Sequence, residues 1–217
     1  MSDYKNTIHY QSEDFANMDQ RFRTQLINSI PGFKSVNLVG TKSVDGYENL
    51  AIFNSVFHVG ANPPYLGLVI RPDSVDRHTW KNIQETGFYS LNQVSVDYAA
   101  QAHQTSARYD LEQSEFEAVG LEAAYKHEFF APLVAVAPVS IGLCYQEHYR
   151  IQANNTLVVI GKIEHVWLDG DLLDSSGFVD LAQGRVLNCI GLDAYGKTEI
   201  IQRFEYAKPD LPPRIKQ

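Results

Sequence analysis

Cysteine is scarce in this chain: Cys144 and Cys189 are the only two in 217 residues, and they form no C-x-x-C pair. Neither a disulfide framework nor a zinc site built on paired thiolates can therefore organise the fold. Both read as small buried side chains, with a reactive thiol as the second reading. Long apolar runs are also missing. No stretch approaches the roughly 20 residues of a membrane span, and the N-terminus "MSDYKNTIHYQSEDF" lacks a signal-peptide core. The expectation is a cytoplasmic protein without a membrane partner. Positive charge is short too, with 18 Lys and Arg against 26 Asp and Glu and a formal net charge of -8. Such a surface repels nucleic acid and anionic lipid.

Familiar chemical signatures are absent as well. "VGTKSV" at residues 39–44 has a lysine after Thr41 where a phosphate loop needs glycine, and a turn follows it where that loop needs a helix. No G-x-G-x-x-G follows a strand, so a doubly wound dinucleotide fold has no fingerprint. G-x-S-x-G and H-E-x-x-H do not occur, which removes the strongest signals for a serine hydrolase or a helical zinc protease. The seven histidines are scattered without helical ligand spacing, and no metal site is expected. His58 and His165, on candidate strands, could reach a site.

What is present is enough apolar sequence for one core: 44% of residues are hydrophobic and 12% aromatic, with no compositional break. The expectation is a single domain over 1–217, with a helical segment over 1–30 and a proline-rich tail over 207–217. Phe15, Met18, Phe22 and Leu26 recur at helical spacing until Pro31-Gly32. "KSVNLVGTK" and "LAIFNSVFHVG" read as strands joined by a turn at Asp45-Gly46, a hairpin. "PPYLGLVIRP" reads as an interior strand and "GFYSLNQV" as another, while "SVDYAAQAHQTSA" suits a short helix capped by Ser95. "LVAVAPVSIGLCYQEHYRI" and "NTLVVIGKIEHVWLD" alternate, with glycines where a closed sheet would bend. The pattern favours an antiparallel barrel, mainly β with short helices, an α+β chain. The tail has Pro209, Pro212 and Pro213 and belongs on the surface or on a neighbouring subunit.

One stretch stands out against the acidic background. "DRHTWKNIQETGF", residues 76–88, reads as a short helix with Thr79 as N-cap, Trp80 and Ile83 on its inner side and Gly87 as C-cap. Free amides and the positive end of the helix dipole favour an anion there. Thr79 adds a hydroxyl and Arg77 a fork of donors, a combination that suits a phosphate. The competing reading is a solvated helix start with cations facing water, and local sequence alone favours it.

The chain from about Pro31 to Tyr206 resembles the flavin reductase-like proteins with an FMN-binding split barrel. The resemblance rests on ordered segments: "LVGTKSVDGYENLAIFNSVFHVGANPP", "RHTWKNIQETGFYSLN", "TSARYDLEQSEFEAVGL", "NTLVVIGKIEHVWLD" and "IGLDAYG". It implies a split barrel that forms a homodimer and holds FMN in a groove near the subunit interface. Arg77 and Thr79 become phosphate ligands, with Lys81 a second candidate or an outward solvated lysine. Asn49, Leu50, Ala51, Ile52, Phe53 and Asn54 resemble the stretch that passes along the isoalloxazine ring. Thr105 and Ser106 match a loop that approaches flavin in some relatives, or form a polar turn that ends a helix.

The chain departs from the family pattern at Ile52 and Asn54, where many relatives have proline and then serine or threonine. Asn154 and Asn155 stand where the reductase branch often has a histidine. The implied activity passes hydride from NADH or NADPH to FMN, with the cofactor supplying the chemistry and no catalytic side chain required. Two other readings remain at this level: an FMN-bearing electron carrier for a redox partner protein, and a flavin-free binding or assembly barrel.

Overall fold

The computed structural model describes residues 6–72 and 77–216. Two helices come first, α1 (Ser12–Asn17) and α2 (Gln20–Ser29). The periodicity from Phe15 to Leu26 suggests one helix, but the backbone is extended at Met18 and Asp19 starts a second by accepting from the amides of Arg21 and Phe22. Past α2, Gly32 adopts a left-handed φ of 88° before the first strand.

The expected strand over residues 34–42 is two, β1 (Lys34–Ser35) and β2 (Asn37–Lys42). The turn through Asp45 and Gly46 leads into β3 (Glu48–Phe53), and β2 pairs antiparallel with β3 as expected. The strand expected over 50–60 is interrupted at Asn54 and Ser55, where β3 gives way to β4 (Val56–Ala61). Then come β5 (Pro64–Ile70), α3 (His78–Thr86), β6 (Phe88–Gln93), α4 (Ala99–Gln104) and α5 (Glu115–Val119). Ser95 caps the 3-10 turn before α4 by accepting from the Asp97 amide. Two short strands, β7 (Ala123–Ala124) and β8 (Leu133–Val134), pair with each other. Long strands β9 (Val139–Arg150) and β10 (Leu157–Leu168) follow, then β11 (Leu187–Ile190) and β12 (Ala194–Lys197). The β-rich run over 133–151 thus holds two strands, β8 and β9, with Pro138 just before β9.

Seven strands form one antiparallel sheet in the order β3-β2-β6-β9-β10-β5-β4. Its two outermost strands, β3 and β4, are neighbours in the chain, joined through Asn54 and Ser55 alone. Two residues cannot cross the width of a seven-stranded sheet, since each strand adds about 4.8 Å. The sheet must curl until its edges meet, and because β3 and β4 do not pair, the result is a split barrel.

Inside lie Val39, Leu68, Ile70, Tyr89, Leu91, Leu143, Leu157 and Val159, with Trp80 and Ile83 of α3 packed against them. A second core, built from Leu38, Leu50, Tyr98, Phe116 and Leu187, holds α4, α5 and β11 against the outside of β2 and β3. Glycines on the long strands make room for rings: a Cβ at Gly161 would strike the Tyr89 phenol, and one at Gly142 would lie 3.0 Å from the Phe129 ring. The β9–β10 register also shifts between Ile160 and Gly161, a bulge that aids curvature.

After β12 the chain doubles back over the surface. Phe204 bridges Ile215, Arg203 pairs with Asp174 at 2.8 Å and the Arg203 guanidinium sits 3.8 Å above the Phe178 ring. The Ser176 hydroxyl, Arg203 and the Phe178 amide together hold the Asp174 carboxyl well below the usual range. Among the described residues no helix is long and apolar enough to cross a membrane.

Tyr89 and Gly161 yield a test of the interior packing. Gly161→Ala should destabilise the fold by about 1–3 kcal/mol through overpacking. Adding Tyr89→Phe should recover part of that loss, because the clashing hydroxyl goes. Chemical denaturation of the two variants beside the parent chain measures both effects.

Candidate functional site

A cavity of about 670 Å³ lies along the unpaired edge of β3, within the range of roughly 300–1,000 Å³ typical of small-molecule sites. One wall is Asn49, Ala51, Ile52 and Phe53 of β3, continuing into Asn54 and Ser55. Facing it are the end of β5 at Val69–Arg71, the start of α3 at Arg77–Thr79, the segment Thr105–Tyr109 after α4, and Leu192, Asp193 and Tyr195 near β12.

Among the described residues no side chain caps the start of α3. Its N-cap is Arg77, with no side-chain cap bond, and Thr79 is the second residue inside the helix. The expected capping role for Thr79 is thus corrected: Asn49 Nδ2 donates to Thr79 Oγ1 at 3.0 Å, so the hydroxyl serves as an acceptor. Its own proton is left to donate. Asn49 also reaches Thr41 Oγ1 at 3.3 Å, and Asn82 Nδ2 donates to that same hydroxyl at 3.1 Å. These buried groups bolt α3 to β2 and β3, and its first residues, Arg77, His78 and Thr79, line the cavity. The C-terminus of α3 ends on Gly87 at φ 78°, as its position predicts.

The β3 edge adds backbone groups. Leu50 donates its amide to Glu115 Oε2 at 2.9 Å and not to its opposite residue Gly40 on β2. Backbone direction repeats every second residue in an antiparallel ladder. Ile52, which lines the cavity, therefore also turns its N–H and C=O outward from β2. Asn54 is committed elsewhere: its Nδ2 donates to the Gly191 carbonyl at 3.0 Å, tying the end of β3 to the turn before β12.

Charge is distributed unevenly around the wall. Arg71, Arg77 and Arg108 all line it, and among the described residues no carboxylate pairs with any of them. Glu115 lies in the same cavity and is only 6% exposed. Burial raises its carboxyl pKa, while the Leu50 amide, its own amide and nearby His78 pull in the opposite direction. His103 Nδ1 and the Tyr195 hydroxyl are 2.7 Å apart. Burial first, then Cys189 and Asp193, raises the Tyr195 pKa and keeps the phenol protonated.

The structure brings most of the expected site residues together. Asn49, Ala51, Ile52, Phe53, Asn54, Arg77, Thr79, Thr105 and Ser106 all line this cavity. Thr105 is a helix-ending residue whose hydroxyl donates to the Ala102 carbonyl at 2.8 Å. Leu50 lies off the wall: its side chain is fully buried in the core beside Leu38 and Phe116, on the same face of β3 as Ile52, which packs on that core and also reaches the cavity. Lys81 also lies off it, exposed and 3.9 Å from Glu85 one helical turn on. His58 and His165 do not reach the cavity; His165 stacks on Trp167 at 5.1 Å. Asn154 and Asn155 sit in the exposed β9–β10 turn. Sequence reasoning missed Arg71, His103, Arg108, Tyr109, Glu115 and Tyr195. Several lie inside quoted segments, "TSARYDLEQSEFEAVGL" and "IGLDAYG", but nothing in those segments indicates that α4, α5 and β12 fold onto one edge. Among the described residues no cluster of three His, Cys, Asp or Glu could hold a metal ion.

Residues 33–183 match the family described as flavin reductase like domain. A candidate flavin reductase with a split barrel domain from Shewanella frigidimarina is 42% identical, with a TM-score of 0.89 over 93% of this chain and all of that one. At the level of fold, the 2-nitrobenzoate 2-nitroreductase NbaA of Pseudomonas fluorescens is similar, with 20% identity and a TM-score of 0.79 over 94% of this chain and 98% of its own. So is the flavoredoxin of Desulfovibrio vulgaris, with 21% identity and a TM-score of 0.67 over 82% of this chain and 91% of its own.

The Thr41–Asn49–Thr79 network can be tested without any ligand. Thr79→Val removes the acceptor of a buried amide and should cost about 1–3 kcal/mol. Thr79→Ser keeps the oxygen and should cost well under half as much. Urea denaturation of the pair separates the hydrogen bond from packing.

Proposed function

The chain belongs to the flavin reductase like family, and on that premise we propose that it is an FMN-binding oxidoreductase that takes its reducing equivalents from NADH or NADPH. The observation that carries the FMN reading is the start of α3, where among the described residues no side chain caps the amides and none accepts the Thr79 hydroxyl proton, and where Arg77 lines the same cavity of flavin size. A phosphate dianion is the natural complement of that set. Arg71 and Arg108, on the same wall, add positive potential.

The rest of the wall suits a flat ring. Ala51, Ile52 and Phe53 offer an apolar strand surface, and the outward backbone of Ile52 supplies one donor and one acceptor for a heteroaromatic edge. Asn54 holds this strand end in place through Gly191. When bound, FMN supplies the two-electron chemistry between nicotinamide and acceptor. The protein's part is to position that cofactor, shield it on the β3 side and leave room for a second planar molecule.

We further propose a homodimer. Helix α2 has no buried residue, although ten-residue helices are marginal in water without packing. Its Phe22, Ile27 and the following Ile30 and Phe33 are exposed, and Ile201 and Tyr206 of the tail are each 94% exposed. A second copy of the chain would cover these side chains. Light scattering should then give twice the 24.5 kDa chain mass; a monomer at micromolar concentration would rule the dimer out.

The FMN assignment rests on Arg77 and is tested there. Arg77→Ala should weaken FMN binding by about 1.5–3 kcal/mol while leaving riboflavin nearly unchanged. Lys81→Ala should affect neither. Fluorescence titration of the flavin-free protein reads all three, and equal losses for FMN and riboflavin would remove the phosphate site.

A further inference from the structure

Glu115 is a buried carboxylate that the reading above leaves without a task. It is the first residue of α5, 6% exposed, and among the described residues it forms no ion pair. A buried acid without a cation is costly unless hydrogen-bond donors surround it. The Leu50 amide supplies one at 2.9 Å, to Oε2. Its own amide also favours the ionised form. An ionised carboxyl group has about four acceptor positions, so part of its capacity is directed at the cavity it lines.

Its place along the site is defined by β3. Asn49, one residue before Leu50, holds Thr79 at the phosphate end. Ile52, two residues after Leu50, presents the backbone groups assigned to the ring, about 6.6 Å further on at 3.3 Å per residue. The carboxylate therefore stands between the two ends, level with whatever links them. In FMN that link is a five-carbon chain bearing hydroxyl groups.

We propose that Glu115 is a specificity-determining residue that accepts hydrogen bonds from the hydroxylated chain of the ligand and so selects a polyol-linked flavin over a flavin without one. The proposal rests on the flavin reading of this cavity. A neutral donor suits the position, because a carboxylate that instead paired with Arg77 or Arg71 would neutralise a cation lining the adjoining phosphate end. Burial raises the Glu115 pKa, and hydroxyl donors would oppose that shift by favouring the ionised form on binding.

The experiment is a titration of flavin-free protein with FMN, riboflavin and lumiflavin, which has a methyl group in place of the chain. Wild type should bind riboflavin at least tenfold more tightly than lumiflavin. Glu115→Gln keeps an acceptor for the Leu50 amide and should retain its melting temperature. It should lose about tenfold for FMN and riboflavin alike and nothing for lumiflavin. Equal effects on all three ligands, or none on any, overturn the proposal. The wild-type comparison does not depend on the variant folding, and riboflavin no tighter than lumiflavin overturns it too. Failure of the phosphate site appears separately, as FMN binding no tighter than riboflavin, and leaves the riboflavin-to-lumiflavin comparison able to judge Glu115.

Discussion

The constraint on which the rest depends is the short passage through Asn54 and Ser55. It joins the two outer strands of a seven-stranded sheet, and so requires the sheet to close without letting β3 and β4 pair. The consequence is an edge strand held inside the molecule. An unpaired edge must find donors and acceptors for its backbone or face water. Here Leu50 finds the Glu115 carboxylate, while Ile52 faces the cavity. The site is thus a by-product of closure: the place where the barrel fails to complete its ladder is the place with backbone groups to offer a ligand.

A free edge alone would be a weak site, since nothing would orient an anion beside it. The Thr41–Asn49–Thr79 contacts supply that orientation by locking α3 across β2 and β3. Each such buried bond is worth about 0.5–1.5 kcal/mol net, but losing one partner costs more because the other is left buried and unpaired. The geometry of the helix start is therefore far more rigid than its exposed arginine suggests. Trp80 and Ile83, packed into the barrel core, fix the same helix from its other side. Core packing and the polar network consequently act on the same helix and together fix where its first turn lies.

The sequence makes the barrel legible because alternation and turn residues are local signals. β2, β5, β6, β9 and β10 all fall within runs whose pattern shows them. What it conceals is interruption. Nothing in "LAIFNSVFHVG" marks Asn54 as the point where a strand leaves one edge of the sheet and enters the other, because both halves keep the same apolar character. Met18 hides a helix break for a similar reason. In the site, Arg77 and Thr79 are visible because they cluster beside a helix signal in an acidic chain. Glu115, His103 and Tyr195 are not, since their importance comes only from α4, α5 and β12 meeting at β3. Thr79 shows the limit well: its residue type suggests a cap, and its hydroxyl is instead the acceptor for a side chain thirty residues away.

The charge pattern then acquires a physical sense. A chain with a net charge of -8 repels anions in general, so a dianionic ligand can be admitted only where local potential reverses the global one. Arg71, Arg77 and Arg108 put positive charge beside the helix start, whereas a uniform positive cavity would take any phosphate. Glu115 and Asp193 on the same wall break that uniformity. They penalise a ligand that places negative charge along its whole length and tolerate one with charge at a single end. Along β3 the order of neighbours is thus the α3 start beside Asn49, the Glu115 carboxylate beside Leu50 and an apolar surface from Ala51 to Phe53, and under the proposed reading that order matches a sequence of chemistries within one molecule. Under that reading the cationic end would draw the ligand in, and the acidic and apolar stretches would decide which anions can lie flat.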